Sequence, residues 1–310
     1  MTQIQHPFDA SNTQEQIARG VGPAKINIAY ERLGDPNATP VVLIMGGAAQ
    51  MIHWPDAFCG ALVERGLQVI RFDNRDCGHS THIEGVPAPD LPAVLADDFS
   101  SVSYTLSEMA ADTVGLLDVL GLASAHVVGA SMGGQIAQVM ACEHLGRVRS
   151  LVSMMSTTGN PGVGQVAPHV LKEVFSGPPA VTRDEVIAHR VSAARVVGSP
   201  AYPGNPDEIA ARAGLAFDRS NDLAGLTRQA IATVATGDRT ERLRQLDLPT
   251  LVIHGLADPM CDVSGGRATA EAIPGAELIL IEGMGHDLAP GLRALLATHI
   301  ADFVLRVERC

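Results

Sequence analysis

The chain has 310 residues, 46% of them hydrophobic and 18% charged, which suits one large folded domain with an insertion and excludes a disordered chain. Its formal net charge of -12 excludes a nucleic-acid footprint, because phosphate binding needs clustered Lys and Arg and no such run is present. No stretch reaches the roughly 18 uninterrupted apolar residues of a membrane span, and the first residues lack a positive start followed by an apolar run. A cytoplasmic location away from membranes is the expectation.

Cys59, Cys77, Cys142, Cys261 and Cys310 are odd in number, scattered, and without a CxxC pair, so they read as reduced thiols and not as staples or zinc ligands. Cys310 ends the chain and is placed to oxidise in storage and link two copies.

In chain order, extended apolar runs occupy residues 25–33, 40–47, 67–73, 125–131, 149–155, 249–255 and 276–283. Most are continuous and not alternating, as in strands buried on both faces of a parallel sheet. Helical period appears between them. Residues 54–66 begin at Pro55 and stop at Gly66, and residues 106–121 place Ser107, ahead of Glu108, as the expected N-cap. Strand and helix in alternation predict a doubly wound α/β sheet.

After residue 157 the rhythm breaks. Residues 183–198, 206–217 and 223–236 read as helices with no strand among them, and the sheet pattern resumes at residue 249. The expected organisation is a core of residues 1–157, a helical cap of 158–240, and the rest of the core in 241–310. Such a cap lies over the carboxyl ends of the strands, where these sheets bind ligands. There is no internal repeat and no low-complexity tract.

The stretch HVVGASMGGQ, residues 126–135, holds Gly129, Ala130, Ser131, Met132 and Gly133 in a Gly-x-Ser-x-Gly pattern with a strand before and a helix after. In a nucleophile elbow the serine sits on a strained turn, and the residues two before and two after must be small. Alone, the pentapeptide reads equally as a tight turn. A serine hydroxyl needs a base and the base needs an orienting acid. His286, in a glycine-bearing loop after the last strand run, is the candidate base, and Asp258, just beyond the run 249–255, is the candidate acid with Asp262 its rival. His254 reads as the start of the turn that presents the acid. Serine, aspartate and histidine in that chain order, each at the end of a separate strand, favour the catalytic reading. The backbone N–H groups of Met132 and Gly47 are the expected oxyanion donors.

With these residues in place, the whole chain resembles the α/β-hydrolase superfamily, and within it the aclacinomycin methylesterase group of bacterial hydrolases. The likeness rests on MGG in the oxyanion loop, WPD at the next helix, FDNRDCGHST after the fourth strand, HVVGASMG, and GMGH. The resemblance implies about eight strands, a helical lid between strands six and seven, and a Ser-His-Asp site without metal or cofactor. Two features depart from pattern: Met45-Gly46 stands where many members have His-Gly, and the elbow continues GGQIA, a general form that does not select a substrate.

Asp73, Arg75 and Asp76 invite an active-site reading, but the family loop at that position is mostly structural. His79 and His82 lack a third ligand at metal spacing. Trp54 reads equally as a core anchor or a pocket wall, and Phe175, Tyr202 and Phe217 are pocket candidates from the cap. The expected function is hydrolysis of a carboxylic ester, such as a methyl ester or lactone of a small or polyketide-like metabolite, through an acyl-enzyme. Carbon-carbon bond hydrolysis, thioester cleavage and cofactor-free perhydrolysis use the same parts, and a non-catalytic small-ligand receptor is the remaining alternative. The expected partner is the small-molecule substrate, and a homodimer is left open.

Overall fold

The computed structural model describes residues 14–309; Cys310 and its expected cross-link lie outside them. Eight strands form one sheet in the order β1-β2-β4-β3-β5-β6-β7-β8. They are β1 (Gln16–Val21), β2 (Ile26–Leu33), β3 (Thr39–Ile44), β4 (Leu67–Phe72), β5 (Ala125–Ala130), β6 (Val148–Met154), β7 (Thr250–Gly255) and β8 (Glu277–Ile281). The β1–β2 and β2–β4 pairs are antiparallel and all the others parallel. Every residue of β4, β5 and β7 is buried, which is why those runs read as continuously apolar.

Successive side chains point to opposite faces of a strand, and the core divides accordingly. Val42, Val127 and Leu151 pack on one side with Leu116, Ile136 and Met140. Val41, Val128 and Val152 pack on the other with Phe58, Leu62, Leu296 and Ile300. The first group of partners comes from α3 (Leu106–Val119), which follows the short α2 (Leu91–Leu95), and from α4 (Met132–Glu143), the second from α1 (Asp56–Val63) and the last helix, Arg293–Val307.

Two local expectations are corrected. The strand β1 escapes the run pattern because it is an exposed edge with a register irregularity between Ala18 and Val21 and Gly20 at φ +64°. The cap of α3 is Thr105, not Ser107. Thr105 and Glu108 stand at the spacing a capping box requires and bond each other's backbone reciprocally, while Ser107 Oγ donates to Glu143 Oε1 at 2.9 Å.

Between β6 and β7 run five helices: α5 (Pro168–Glu173), α6 (Arg183–Val197), α7 (Pro206–Arg219), α8 (Leu223–Thr236) and the short α9 (Thr240–Leu243). The starts of α6, α7 and α8 are marked in sequence by oxygen-bearing caps, Thr182, Asn205 and Asp222, whose side chains accept first-turn N–H groups. Among the described residues no helix is long and apolar enough to cross a membrane.

Candidate active site

Ser131 stands between β5 and α4 with φ at +55°, a left-handed backbone that disfavours any residue with a Cβ. The turn is held by Ser131 N–H donating to the Met154 carbonyl at 2.9 Å, and by the Ser131 carbonyl accepting Gly134 N–H at 2.9 Å and the Ser156 hydroxyl at 2.8 Å. The flanking glycines answer a steric need. A Cβ on Gly129 would lie 2.1 Å from the Gly133 carbonyl oxygen, and one on Gly133 would lie 2.0 Å from that of Ile44. Only glycine lets strand, turn and helix meet so closely.

His286 and Asp258 converge on this serine from loops 155 and 127 residues further along the chain. His286 Nε2 is 3.0 Å from Ser131 Oγ, and His286 Nδ1 is 2.7 Å from Asp258 Oδ2. A carboxylate only accepts, so Nδ1 carries the proton and Nε2 presents its lone pair to the hydroxyl. Asp258 is fixed in turn: its Oδ1 accepts the N–H groups of Met260 and Cys261, each at 2.9 Å. Its side chain is fully buried. The rival Asp262 faces elsewhere, accepting Ser264 N–H at 3.0 Å.

His254, next to last in β7, has its side chain buried beside Asp258. Its Nε2 is 2.8 Å from the Cys261 carbonyl and 3.6 Å from Asp258 Oδ2, so Nε2 carries the proton and the ring braces the acid loop. Burial pushes its pKa below the usual histidine value, which keeps the ring neutral.

The loop after β3 lies against the serine. A Cβ on Gly46 would be 3.0 Å from Ser131 Cβ, and one on Gly47 would be 3.5 Å from Met132 Sδ. Met132 N–H opens α4, where first-turn donors have no partner inside the helix, and among the described residues Gly47 N–H has no protein acceptor. The next donor along, Ala48 N–H, is occupied by Gln229 Oε1 at 3.2 Å.

The Asp73–Asp76 segment is a scaffold. Arg75 pairs bidentately with Asp112 at 2.6 and 2.8 Å and covers the Tyr104 ring at 4.9 Å. Asp73 accepts Met51 N–H at 2.7 Å and bonds Arg219 of α7. Asp76 accepts from Arg228 of α8 twice at 2.8 Å and from the Tyr104 hydroxyl at 2.7 Å. These arginines of the cap were not legible as partners, since nothing at positions 219 and 228 signals a contact about 150 residues back. The third ligand that spacing failed to offer His82 does exist in space, because Asp76, His82 and Asp222 bring ligand atoms within 4.8 Å of one another. Arg228 already balances both carboxylates there.

The pocket candidates separate. Trp54 is completely buried and stacks on Phe58 at 5.3 Å between centroids, so it offers no surface to a ligand. Phe175 is 61% exposed. Tyr202 packs against Gly291 and the core beneath the last helix. Phe217 lines a cavity between α6, α7 and the loop after β3 with Ala48, Gln50, His53, Cys77 and Arg190.

Over residues 39–289 the chain matches the alpha/beta hydrolase fold family. It belongs to that family. The rhodomycin D methylesterase DnrP of Streptomyces peucetius is 29% identical to it, over 89% of this chain and 94% of that protein. A non-heme chloroperoxidase of Kitasatospora aureofaciens is 30% identical over 90% of this chain and 96% of its own. Among solved structures, an enol-lactonase from Burkholderia xenovorans superposes with a TM-score of 0.71 at 22% identity, covering 94% of this chain and all of that one; at that identity the likeness concerns the fold. The methylesterase match agrees with the resemblance carried by the MGG, WPD and GMGH segments.

Proposed function

We propose that the protein is a carboxylic ester hydrolase that works through an acyl-enzyme on Ser131. The observation that carries this is the unbroken chain from Ser131 Oγ to His286 at 3.0 Å and from His286 to Asp258 at 2.7 Å, already in hydrogen-bond reach without a ligand. His286 Nε2 takes the hydroxyl proton as Oγ attacks the ester carbonyl. Asp258 holds the tautomer and stabilises the imidazolium. The carbonyl oxygen, now an oxyanion, receives the N–H groups of Gly47 and Met132. Collapse breaks the ester C–O bond, and the imidazolium returns its proton to the leaving alkoxide, releasing an alcohol. Water then gives its proton to His286 and adds to the acyl carbon, and the acid leaves with Ser131 restored.

The methylesterase relatives support a methyl ester of a polyketide-like metabolite as substrate, with the helices between β6 and β7 supplying its binding surface. The four described cysteines are unpaired, in keeping with the proposed cytoplasmic setting. A second reading has the chloroperoxidase relative behind it: hydrogen peroxide in place of water at the acyl-enzyme would release a peracid. The test is a panel of p-nitrophenyl esters of rising acyl length beside a polyketide-like methyl ester, each followed with and without peroxide. Turnover of the methyl ester to acid and methanol supports the proposal. Peracid formation from carboxylic acids with no ester turnover would overturn it in favour of the second reading.

A further inference from the structure

One helix of the cap touches the site at two places. Arg190, midway along α6, donates from Nη2 to the Ala48 carbonyl at 2.6 Å, and among the described residues no carboxylate pairs with it. Ala48 follows the proposed oxyanion donor Gly47 and holds φ at +57°, a conformation that its Cβ disfavours and that something must maintain. Its N–H goes to Gln229 of α8 at 3.2 Å, and Gln229 Nε2 is anchored on the Arg75 carbonyl at 2.8 Å. Both polar backbone atoms of Ala48 are therefore held by side chains of the cap.

Seven residues on, the end of the same helix receives the loop of the base. The Val197 carbonyl accepts His286 N–H at 2.7 Å. Ser199 Oγ accepts Gly285 N–H at 2.9 Å and donates to Asp287 Oδ1. Ala201 N–H donates to the Gly283 carbonyl at 3.2 Å. The fit leaves no slack, since a Cβ on Gly285 would lie 2.3 Å from the Gly198 carbonyl oxygen, and one on Gly283 would lie 2.3 Å from Ala201 Cβ.

We infer that α6 is a strut that sets the oxyanion loop and the histidine loop relative to each other, with Arg190 and Ser199 as positioning residues at its two contacts. The catalytic constellation is complete only while the cap is docked, so the cap governs turnover as well as substrate choice. The inference rests on the proposed roles of Ser131, His286 and Gly47. A displacement of about 1 Å at such a site costs up to about 10²-fold in rate, and both contacts bear on groups that act in the transition state and not in ground-state binding.

The experiment compares wild type, Arg190→Leu, Ser199→Ala and Arg190→Leu/Ala48→Gly on p-nitrophenyl acetate. It adds inhibition by a phenyl trifluoromethyl ketone, which forms a tetrahedral adduct, and the end-point stoichiometry of fluorophosphonate labelling. Arg190→Leu and Ser199→Ala are expected to lower kcat by about 10- to 100-fold with KM within about threefold. Ketone affinity should fall in step with kcat/KM, while labelling slows but still reaches one per chain. Ala48→Gly should restore about fivefold to Arg190→Leu, because glycine takes the left-handed backbone unaided. A raised KM with unchanged kcat would make Arg190 a substrate contact and overturn the strut. Should Arg190→Leu unfold by circular dichroism, Ser199→Ala decides alone, and unchanged kcat and ketone affinity there overturn it. A wild-type chain that takes no label overturns the serine reading and the strut with it; labelled wild type with unaltered variants overturns the strut only.

Discussion

The helix that follows Ser131, α4, and the helix α6 between β6 and β7 are held by opposite means. In α4, ten residues from Met132 to Ala141 are buried, and the elbow ahead of it has no room for a single added methyl group. In α6 no residue is fully buried, and it meets the loops around Ser131 chiefly through hydrogen bonds, donated by Arg190 and accepted by Val197 and by Ser199 just beyond its end, beside one tight backbone approach at Gly285. Packing is insensitive to small polar changes and intolerant of volume; hydrogen bonds are the reverse. The place of Ser131 is thus built into the core, while the loops of Ala48 and His286 are bonded to partly solvated helices.

Substitutions can break this contrast, and the largest effect belongs to the core side. Ser131→Ala should lower kcat by about 10⁶-fold with an unchanged melting temperature, measured by ester turnover and calorimetry. Asp258→Asn should cost about 10⁴-fold in kcat by fixing the wrong histidine tautomer, whereas Asp262→Asn should leave kcat within about twofold, since Asp262 serves only the turn at Ser264. The reverse ranking of the two aspartates would dissolve the assignment of the acid.

Gly133→Ala tests packing directly. Its Cβ would fall on the Ile44 carbonyl, so a loss of about 1–3 kcal/mol in unfolding free energy is expected in urea titration. Phe175→Ala, on the exposed side of the cap, should change stability by less than about 0.5 kcal/mol. Equal losses would mean the two regions are not differently built.

The smallest effect is the pH response of the cap contact between His82 and Asp222, which stand 2.7 Å apart. Burial lowers the His82 pKa, but the Gly78 carbonyl and Asp222 outweigh it and hold the pKa above the usual value. Burial likewise opposes charge on Asp222, while the Gly225 N–H, His82 and Arg228 carry its pKa below the usual value. A raised histidine stabilises fully below about pH 6.5 and loses that contribution as pH rises through its folded pKa; a lowered aspartate stabilises above about pH 4 and loses it as pH falls through its own. The contact therefore contributes most between those limits. Because both groups are partly solvated, His82→Gln should lower the melting temperature by only about 1–2 °C near pH 5.5, and the difference should shrink above pH 7.

The same contrast explains what was legible in the sequence. Buried strands announce themselves by continuous apolar runs, and the elbow by glycines whose absence of a Cβ is a local requirement, so β2 to β8 could be read from residues alone, and Ser131, His286 and Asp258 picked out as side chains that meet. The edge strand β1 buries only two of its positions and leaves no pattern. Trp54 could not be placed because a tryptophan's composition does not tell a stacked core ring from a pocket wall. The contacts of Arg190, Arg219 and Arg228 span about 140 to 150 residues and join side chains whose local surroundings are ordinary helix surface. Only the folded chain brings them to the loops they hold.

Whether Ser131 is the nucleophile can be read from intact-protein mass spectrometry after fluorophosphonate treatment. One adduct per wild-type chain is expected, mapped to Ser131 by peptide digestion, and none on Ser131→Ala. An unmodified wild-type protein that still hydrolyses esters, or an adduct retained by Ser131→Ala, would contradict it.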